Sequence, residues 1–410
     1  MKNNNKLKVI ELFSGIGAQH KALDIIKKTY GNDFEIVGTS EWAIKSILAY
    51  NKIHHKGMNK FTKKTKEELL KIIKERKMVF SNDGQTPVTE RSLYSKSQEF
   101  LSELLWANEN TKNMGSILDI EPEEIINREA NLITYSFPCQ DISTGAQFTK
   151  MKTGLKGQRS GLLYEVERLI KGINKINSNK LPKFLLLENV SQLVKNKEFK
   201  KGYDEWIGTL REMGYVTKTY QCNALDFGIP QSRKRVFALS VLGGAEFKEE
   251  KELIDLYFEK YNFRTKTLEQ IIERKKYEVE QVMAMVKPTP SRESMRRKVP
   301  KLLETRFSHT NTLTKKHDRT PSPGTINVSE FENVLKLVEE YRPDFKGYNY
   351  YYRFLTAREC LRIMGFDDKD WISIKKLGYG IRSYYEMAGN SIVVNNLLPI
   401  FDEVFRIWNK

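Results

Sequence analysis

Four short stretches of the chain carry side chains able to do chemistry. In Tyr135-Ser136-Phe137-Pro138-Cys139-Gln140-Asp141-Ile142-Ser143 an apolar run ends at a proline that fixes the backbone and hands Cys139 to the following loop. A thiol there is either a nucleophile or a small buried hydrophobe. In Leu185-Leu186-Leu187-Glu188-Asn189-Val190 a carboxylate stands where a buried strand should end, placed to act as an acid or hydrogen-bond partner, or else simply ion-paired. Gln231-Ser232-Arg233-Lys234-Arg235 opens another strand, and strict alternation sends Arg233 and Arg235 to one face, where two guanidiniums can grip a phosphate, a base oxygen or a carboxylate. As an isolated charge run it would be a solvated edge. Finally, Glu11-Leu12-Phe13-Ser14-Gly15-Ile16-Gly17 reads as a strand running into a glycine turn that opens a helix, with Glu41 after the next strand. Such a turn brings backbone close to a ligand, and the acid can accept hydrogen bonds from a ribose diol. A dinucleotide fingerprint would need glycine at position 20, where the chain has His20, and no GxxxxGK[ST] run exists. A nucleoside without phosphates, such as S-adenosylmethionine, therefore fits better than NAD or ATP; a tight turn without ligand is the alternative.

These stretches need a scaffold that brings them to one rim. The first 240 residues alternate strands and helices: Val9 to Phe13, a helix from Gly17 to Tyr30 stopped by Gly31, a strand from Glu35 to Trp42, an apolar stretch from Leu132 to Phe137, a helix over Ser160 to Ile176, and strands at Lys183 to Leu187, Val216 to Asn223 and Arg235 to Leu242. The rhythm predicts an α/β fold, a doubly wound, mostly parallel Rossmann-like sheet with active-site loops at the carboxyl ends of its strands, and a second, smaller domain after it. Residues 1–243 form the expected catalytic and cofactor-binding domain, with 51–115 as an insertion. Residues 244–388 form the small domain, and 389–410 return to the first, since Ile392 to Trp408 regain apolar helical spacing. Within the small domain, Ser291 to Asn327 mixes Ser, Thr and Asn with Arg292, Arg296, Arg297, Lys298, Lys301, Arg306, Lys315, Lys316 and Arg319, a composition suited to phosphate contacts or to a solvated loop.

The 410 residues are 40% hydrophobic and 30% charged, ample for a core and too apolar for a disordered chain. Lysine and arginine (69) exceed aspartate and glutamate (52), for a net charge of +17 that favours a polyanionic partner. The three cysteines, Cys139, Cys222 and Cys360, are far apart and form no CxxC, so neither a disulfide framework nor a thiolate zinc site is expected. Zinc deamination, which also uses a Pro-Cys pair, needs PCxxC; position 142 is isoleucine. No signal-peptide pattern or long apolar run occurs, and a cytoplasmic location is expected.

The four motifs, in this order, resemble those of the cytosine-C5 DNA methyltransferase family: FxGxG, PCQ, ENV and QxRxR. Arg353-Phe354-Leu355-Thr356-Ala357-Arg358-Glu359-Cys360, Met364-Gly365-Phe366 and Ala388-Gly389-Asn390-Ser391 look like its closing motifs. The departures are Ala18, where many members have a second consecutive glycine, and a longer insertion between the second and third strands. The resemblance implies S-adenosylmethionine as cofactor, lined by Phe13, Gly15, Gly17, Glu41, Trp42, Asp119, Pro138, Leu162 and Asn390, with Glu41 on the ribose and Asp119 near the adenine amino group. It implies Cys139 as nucleophile, Glu188 at cytosine N3, Arg235 near O2 and Arg233 supporting the loop or backbone. Gln140, Ser143, Gln231, Arg292, Arg296, Arg297, Lys315, Lys316 and Arg319 are expected at the DNA, the loop Gln140 to Lys156 as a lid, and 244–350 as the variable part of a target-recognition domain. No metal is expected. The partner is double-stranded DNA, in a restriction-modification setting where a cognate endonuclease acts on the same site, and the protein is expected to be a monomer. The RNA-methylating branch with the same catalytic set and a silent DNA-binding protein are the competing readings. Amino-group methylation is excluded by the lack of a Pro-Pro pair.

Overall fold

The computed structural model describes residues 6–137, 161–243, 250–261, 266–273, 278–287, 289–298, 309–315, 325–327, 332–345 and 352–410, without the side chains of 250, 254, 256, 278, 295–298, 332–335 and 339. They divide into two compact units. Unit 1 comprises Met1–Cys222, Lys234–Asp255 and Leu397–Lys410; unit 2 comprises Asn223–Arg233 and Leu256–Asn396.

Unit 1 is built on strands β1 (Leu7–Leu12), β2 (Phe34–Ser40), β3 (Leu132–Tyr135), β4 (Phe184–Val190), β5 (Tyr215–Asn223) and β7 (Lys234–Leu242), with the short β6 (Gln231–Ser232) preceding β7 in unit 2. The sheet order is β2-β1-β3-β4-β7-β5. β1 pairs in parallel with both β2 and β3, and β3 in parallel with β4, while β7 runs antiparallel to β4. β1, β3 and β4 are buried along nearly their whole length, as central strands of parallel sheets are. Helix α1 (Ala18–Tyr30) ends at Gly31, whose left-handed φ of 71° lets its N–H close on the Lys27 carbonyl. α2 (Ile44–His54) follows β2, then α3 (Lys66–Glu75) and α4 (Gln98–Asn110) of the insertion. α5 (Leu162–Asn177) turns Leu163, Val166, Leu169, Ile170 and Ile173 into the same apolar core as Ile133, Leu185 and Leu187 of the sheet. α6 (Lys197–Glu212) adds Trp206, whose indole N–H reaches the Tyr135 hydroxyl at 3.0 Å.

The chain leaves β1 toward β2 on one side and later returns to β3 on the other. That reversal is the switch point where an open α/β sheet opens a crevice beyond its strand ends.

Unit 2 holds two small sheets, β10 (Ile326–Asn327), β11 (Tyr352–Arg353) and β8 (Met285–Val286) in one, β6 and β9 (Thr310–Asn311) in the other, with α7 (Ala357–Ile363), α8 (Asp368–Lys375) and α9 (Ile381–Asn390). Thr356 and Glu359 form a capping box at the start of α7, and the same Glu359 carboxylate takes two hydrogen bonds from the fully buried Arg353 guanidinium, at 2.8 and 2.9 Å. The final helix, Val394–Trp408, belongs to unit 1 from Leu397 on, and Trp408 meets Phe184 edge to face. Among the described residues, no helix is long and apolar enough to cross a membrane.

Candidate active site

At the end of β1 the chain takes three left-handed residues in five, Phe13 (φ 57°), Gly15 (φ 55°) and Gly17 (φ 80°). The conformation is natural for glycine but costs roughly 1–2 kcal/mol for phenylalanine, strain that the surrounding bonds must hold. Ser14 N–H bonds to the Ser40 carbonyl at 3.1 Å and Gly17 N–H to the Ser14 carbonyl at 2.9 Å. The two glycines differ in purpose. A Cβ on Gly17 would run into His54 and Tyr50 of α2, so that residue is small to let two helices meet. A Cβ on Gly15 would meet nothing within 4 Å: its backbone fronts open space.

Glu41 stands beside that turn. Its carboxylate accepts Gly15 N–H at 3.1 Å and the N–H groups of Trp42 and Ala43 at 2.8 Å each. Burial raises its pKa, and the Ala43, Trp42 and Gly15 amides oppose the rise. Three of the roughly four lone-pair positions of a carboxylate are thus spent on locating it, leaving one for a hydroxyl. Asn113, from the end of the insertion, locks Glu41 from the other side. Its amide oxygen accepts Glu41 N–H at 3.0 Å and its nitrogen donates to the Glu41 carbonyl at 2.8 Å. Sequence reasoning does not single out Asn113 within the 51–115 insertion: no motif marks it, because its role exists only once residue 113 has been folded back against β2. Asp119, exposed at the end of a 3-10 turn, and the insertion residues Arg76 and Phe80 line a cavity of about 420 Å³ with Asn113. Trp42 and Leu162 are half-buried, Leu162 as the first residue of α5. An open-fronted glycine turn, an oriented acid and a neighbouring cavity suit a nucleoside cofactor such as S-adenosylmethionine.

β3 and β4 run in register from Leu132↔Phe184 to Tyr135↔Leu187, so Glu188 and Asn189 stand just past the last β3 pair. Asn189, buried, donates its side-chain amide to the Phe137 carbonyl at 3.2 Å, tying β4 to the residue that precedes Pro138-Cys139. Glu188 lies opposite Phe237 and Val190 opposite Arg235, a diagonal that brings Arg235 Nε to 3.3 Å from the Glu188 carboxylate. Both side chains of this pair are about seven-eighths shielded from solvent, at 13% and 12% exposure.

Arg233 departs from the expected shared face with Arg235. The strand breaks at Arg233, between β6 and β7, and its guanidinium instead bonds the carbonyls of Leu313 (2.8 Å), Gly389 (3.1 Å) and Ser391 (2.8 Å). It is a buried backbone clamp on both sides of Asn390, the exposed last residue of α9. Gln231, expected at the DNA, is fully buried and accepts Leu313 N–H at 2.9 Å; an interior hydrogen bond is what holds it there. Arg292 is half-buried and donates to the Lys287 carbonyl at 2.8 Å, and Lys315 is half-buried. Pro138, Cys139, Gln140, Ser143, the loop to Lys156, Lys316 and Arg319 lie outside the described residues, as do the side chains of Arg296 and Arg297. Cys222 and Cys360 are buried free thiols, and burial next to Glu359 pushes Cys360 well above the ordinary range.

The open, mostly parallel sheet and the site at its switch point define an α/β, Rossmann-like methyltransferase fold. The profile of the C-5 cytosine-specific DNA methylase family matches residues 77–406, and the chain belongs to that family. It is 30% identical over 410 residues to the type II methyltransferase M2.ScrFI of Lactococcus lactis subsp. cremoris, covering 98% of this chain and 99% of that one. It is 37% identical over 249 residues to the orphan methyltransferase M.SssI of Spiroplasma monobiae, covering 60% of this chain and 61% of that protein. Its fold matches the S. pombe Dnmt2 methyltransferase with a TM-score of 0.65 at 18% identity, over 99% of this chain and all of the other.

Proposed function

We propose that the protein transfers a methyl group from S-adenosylmethionine to C5 of a cytosine extruded from duplex DNA, by way of a transient bond between Cys139 and C6. The observation that carries this reading is the shielded Glu188–Arg235 pair beside Asn189, whose amide holds Phe137 two residues before Cys139.

Cytosine C5 is a weak nucleophile. Thiolate addition at C6 forms the S–C bond and pushes the C5–C6 electron pair toward C5, while a proton or strong hydrogen bond from Glu188 at N3 draws density from the ring. Arg235 holds Glu188 and, in this reading, meets the charge that develops on O2. S-adenosylmethionine, when bound, supplies the electrophilic methyl, and Phe13, Gly15, Glu41, Trp42, Asp119, Pro138, Leu162 and Asn390 would hold it, with Gly17 shaping the turn from behind. A base then takes the C5 proton, the electron pair reforms C5=C6, and the Cys139 thiolate leaves. Cys222 and Cys360 are too deeply buried for that part. The target carbon lies inside the base stack, so the nucleotide must be swung out at a cost of about a few kcal/mol. Residues 244–388 are assigned the target-recognition role, with their lysines and arginines on phosphates and base edges. A type II restriction-modification setting, with a cognate endonuclease at the same site, is part of this reading.

Labelled cofactor offered separately to duplex DNA and to tRNA tests it. Label in DNA, lost in Cys139→Ala and trapped as a covalent adduct on 5-fluorocytosine DNA, is expected; label only in tRNA, or activity surviving Cys139→Ala, overturns it.

A further inference from the structure

Behind the glycine turn lies a partly buried polar cluster that the methyl-transfer reading leaves unused. His20 and Asp24 are one helical turn apart on α1, and His54 ends α2. The His20 and His54 rings stack with centroids 4.3 Å apart and planes 9° from parallel. His20 Nε2 is 4.0 Å from the Asp24 carboxylate, and one nitrogen or oxygen from each of the three residues lies within 4.8 Å of the others.

The hydrogen bonds around the cluster bear on which nitrogen carries each proton. With Glu11 ionised, Tyr50 donates its hydroxyl proton to it at 2.5 Å, and the 2.9 Å contact between Tyr50 and His20 Nδ1 then has His20 as the donor. His20 Nε2 is then a bare lone pair turned to Asp24. His54 Nε2 lies 3.1 Å from the Ile16 carbonyl, which can only accept, so Nε2 holds the proton and Nδ1 is the bare nitrogen. One nitrogen of each imidazole and the Asp24 carboxylate thus lie close enough to share a cation once the His54 ring turns out of the stack. Each histidine has its outer nitrogen anchored by an oxygen acceptor, the supporting pattern of metal-bound imidazoles. Asp24, about one-third exposed, gives an approach from solvent.

From this geometry we infer that His20, Asp24 and His54 form a divalent transition-metal site, for which zinc is the best match to a two-imidazole, one-carboxylate donor set. Tetrahedral bonds of ~2.0–2.1 Å put ligand atoms roughly 3.3 Å apart, so binding draws these atoms in by about an ångström as the His54 ring pivots on its Ile16 bond out of the stack. Because His54 bonds Ile16 and abuts Gly17, the ion would stiffen the turn that fronts the cofactor. The inference stands apart from the methyl-transfer reading and holds whether or not the chain acts on DNA.

Equilibrium dialysis of the full chain against zinc chloride with elemental analysis tests it, followed by thermal unfolding with zinc and with excess chelator. The expected result is about one zinc per chain, a higher melting temperature reversed by chelator, and affinity lowered by ~10-fold or more in Asp24→Asn, whose partly exposed side chain can change without disturbing the core. His54→Gln serves as a second variant, and Cys139→Ala should bind zinc as the parent does. No stoichiometric zinc, binding unchanged in Asp24→Asn and His54→Gln, or binding lost in Cys139→Ala overturns the site.

Discussion

Glu188 and Arg235 pair as opposite charges at a shielded strand end. Glu188→Gln keeps the shape and removes the acid. Single-turnover methyl transfer should slow by about 10²–10⁴-fold while DNA affinity, read by filter binding, stays near the parent value. Normal turnover would remove Glu188 from the chemistry. The two glycines of the turn have separable effects. Gly15→Ala projects a methyl into the open front and should weaken cofactor binding by calorimetry with a modest loss of stability, of the ~1–2 kcal/mol expected for a left-handed alanine. Gly17→Ala collides with His54 and Tyr50 and should chiefly lower the melting temperature. An equal effect of both on stability would mean that Gly15 does not front the ligand.

At the scale of elements, Glu41 is oriented by the insertion as much as by its own strand. Asn113→Ala removes two hydrogen bonds to Glu41 backbone, each worth about 0.5–1.5 kcal/mol, and should weaken S-adenosylmethionine binding several-fold, measured by calorimetry. Affinity equal to the parent would place the cofactor elsewhere. In unit 2, Glu359 caps α7 and pairs with the buried Arg353. Glu359→Ala removes the carboxylate paired with that buried guanidinium and should reduce unfolding free energy by ~3–5 kcal/mol in denaturant titration, whereas a surface ion pair would barely register. The resemblance had marked the Arg353 to Cys360 motif as a family signature; in three dimensions it is a helix cap joined to a buried ion pair.

At the scale of the whole molecule, the net charge of +17 predicts that DNA affinity falls steeply with salt. Plots of log affinity against log salt should have a slope of about −0.9 per phosphate contacted, and each phosphate-binding lysine or arginine replaced within 292–319 should reduce that slope by about one. A flat salt response would assign the excess charge to solubility instead. Much of the architecture was legible in the order of residues. Strand and helix periodicity anticipated β1 to β5 and β7 to within a few residues, since apolar spacing follows from which face is buried. Glycine positions anticipated the left-handed turn after β1 because few residues other than glycine enter left-handed backbone cheaply. Tertiary structure alone decided the partners. It split Arg233 from Arg235 by ending one strand and starting another between Ser232 and Lys234, sent Gln231 indoors, and recruited Asn113 to an acid 72 positions away. Local pattern records a residue's own burial and backbone preference, whereas a hydrogen bond between distant segments depends on how the chain has already closed.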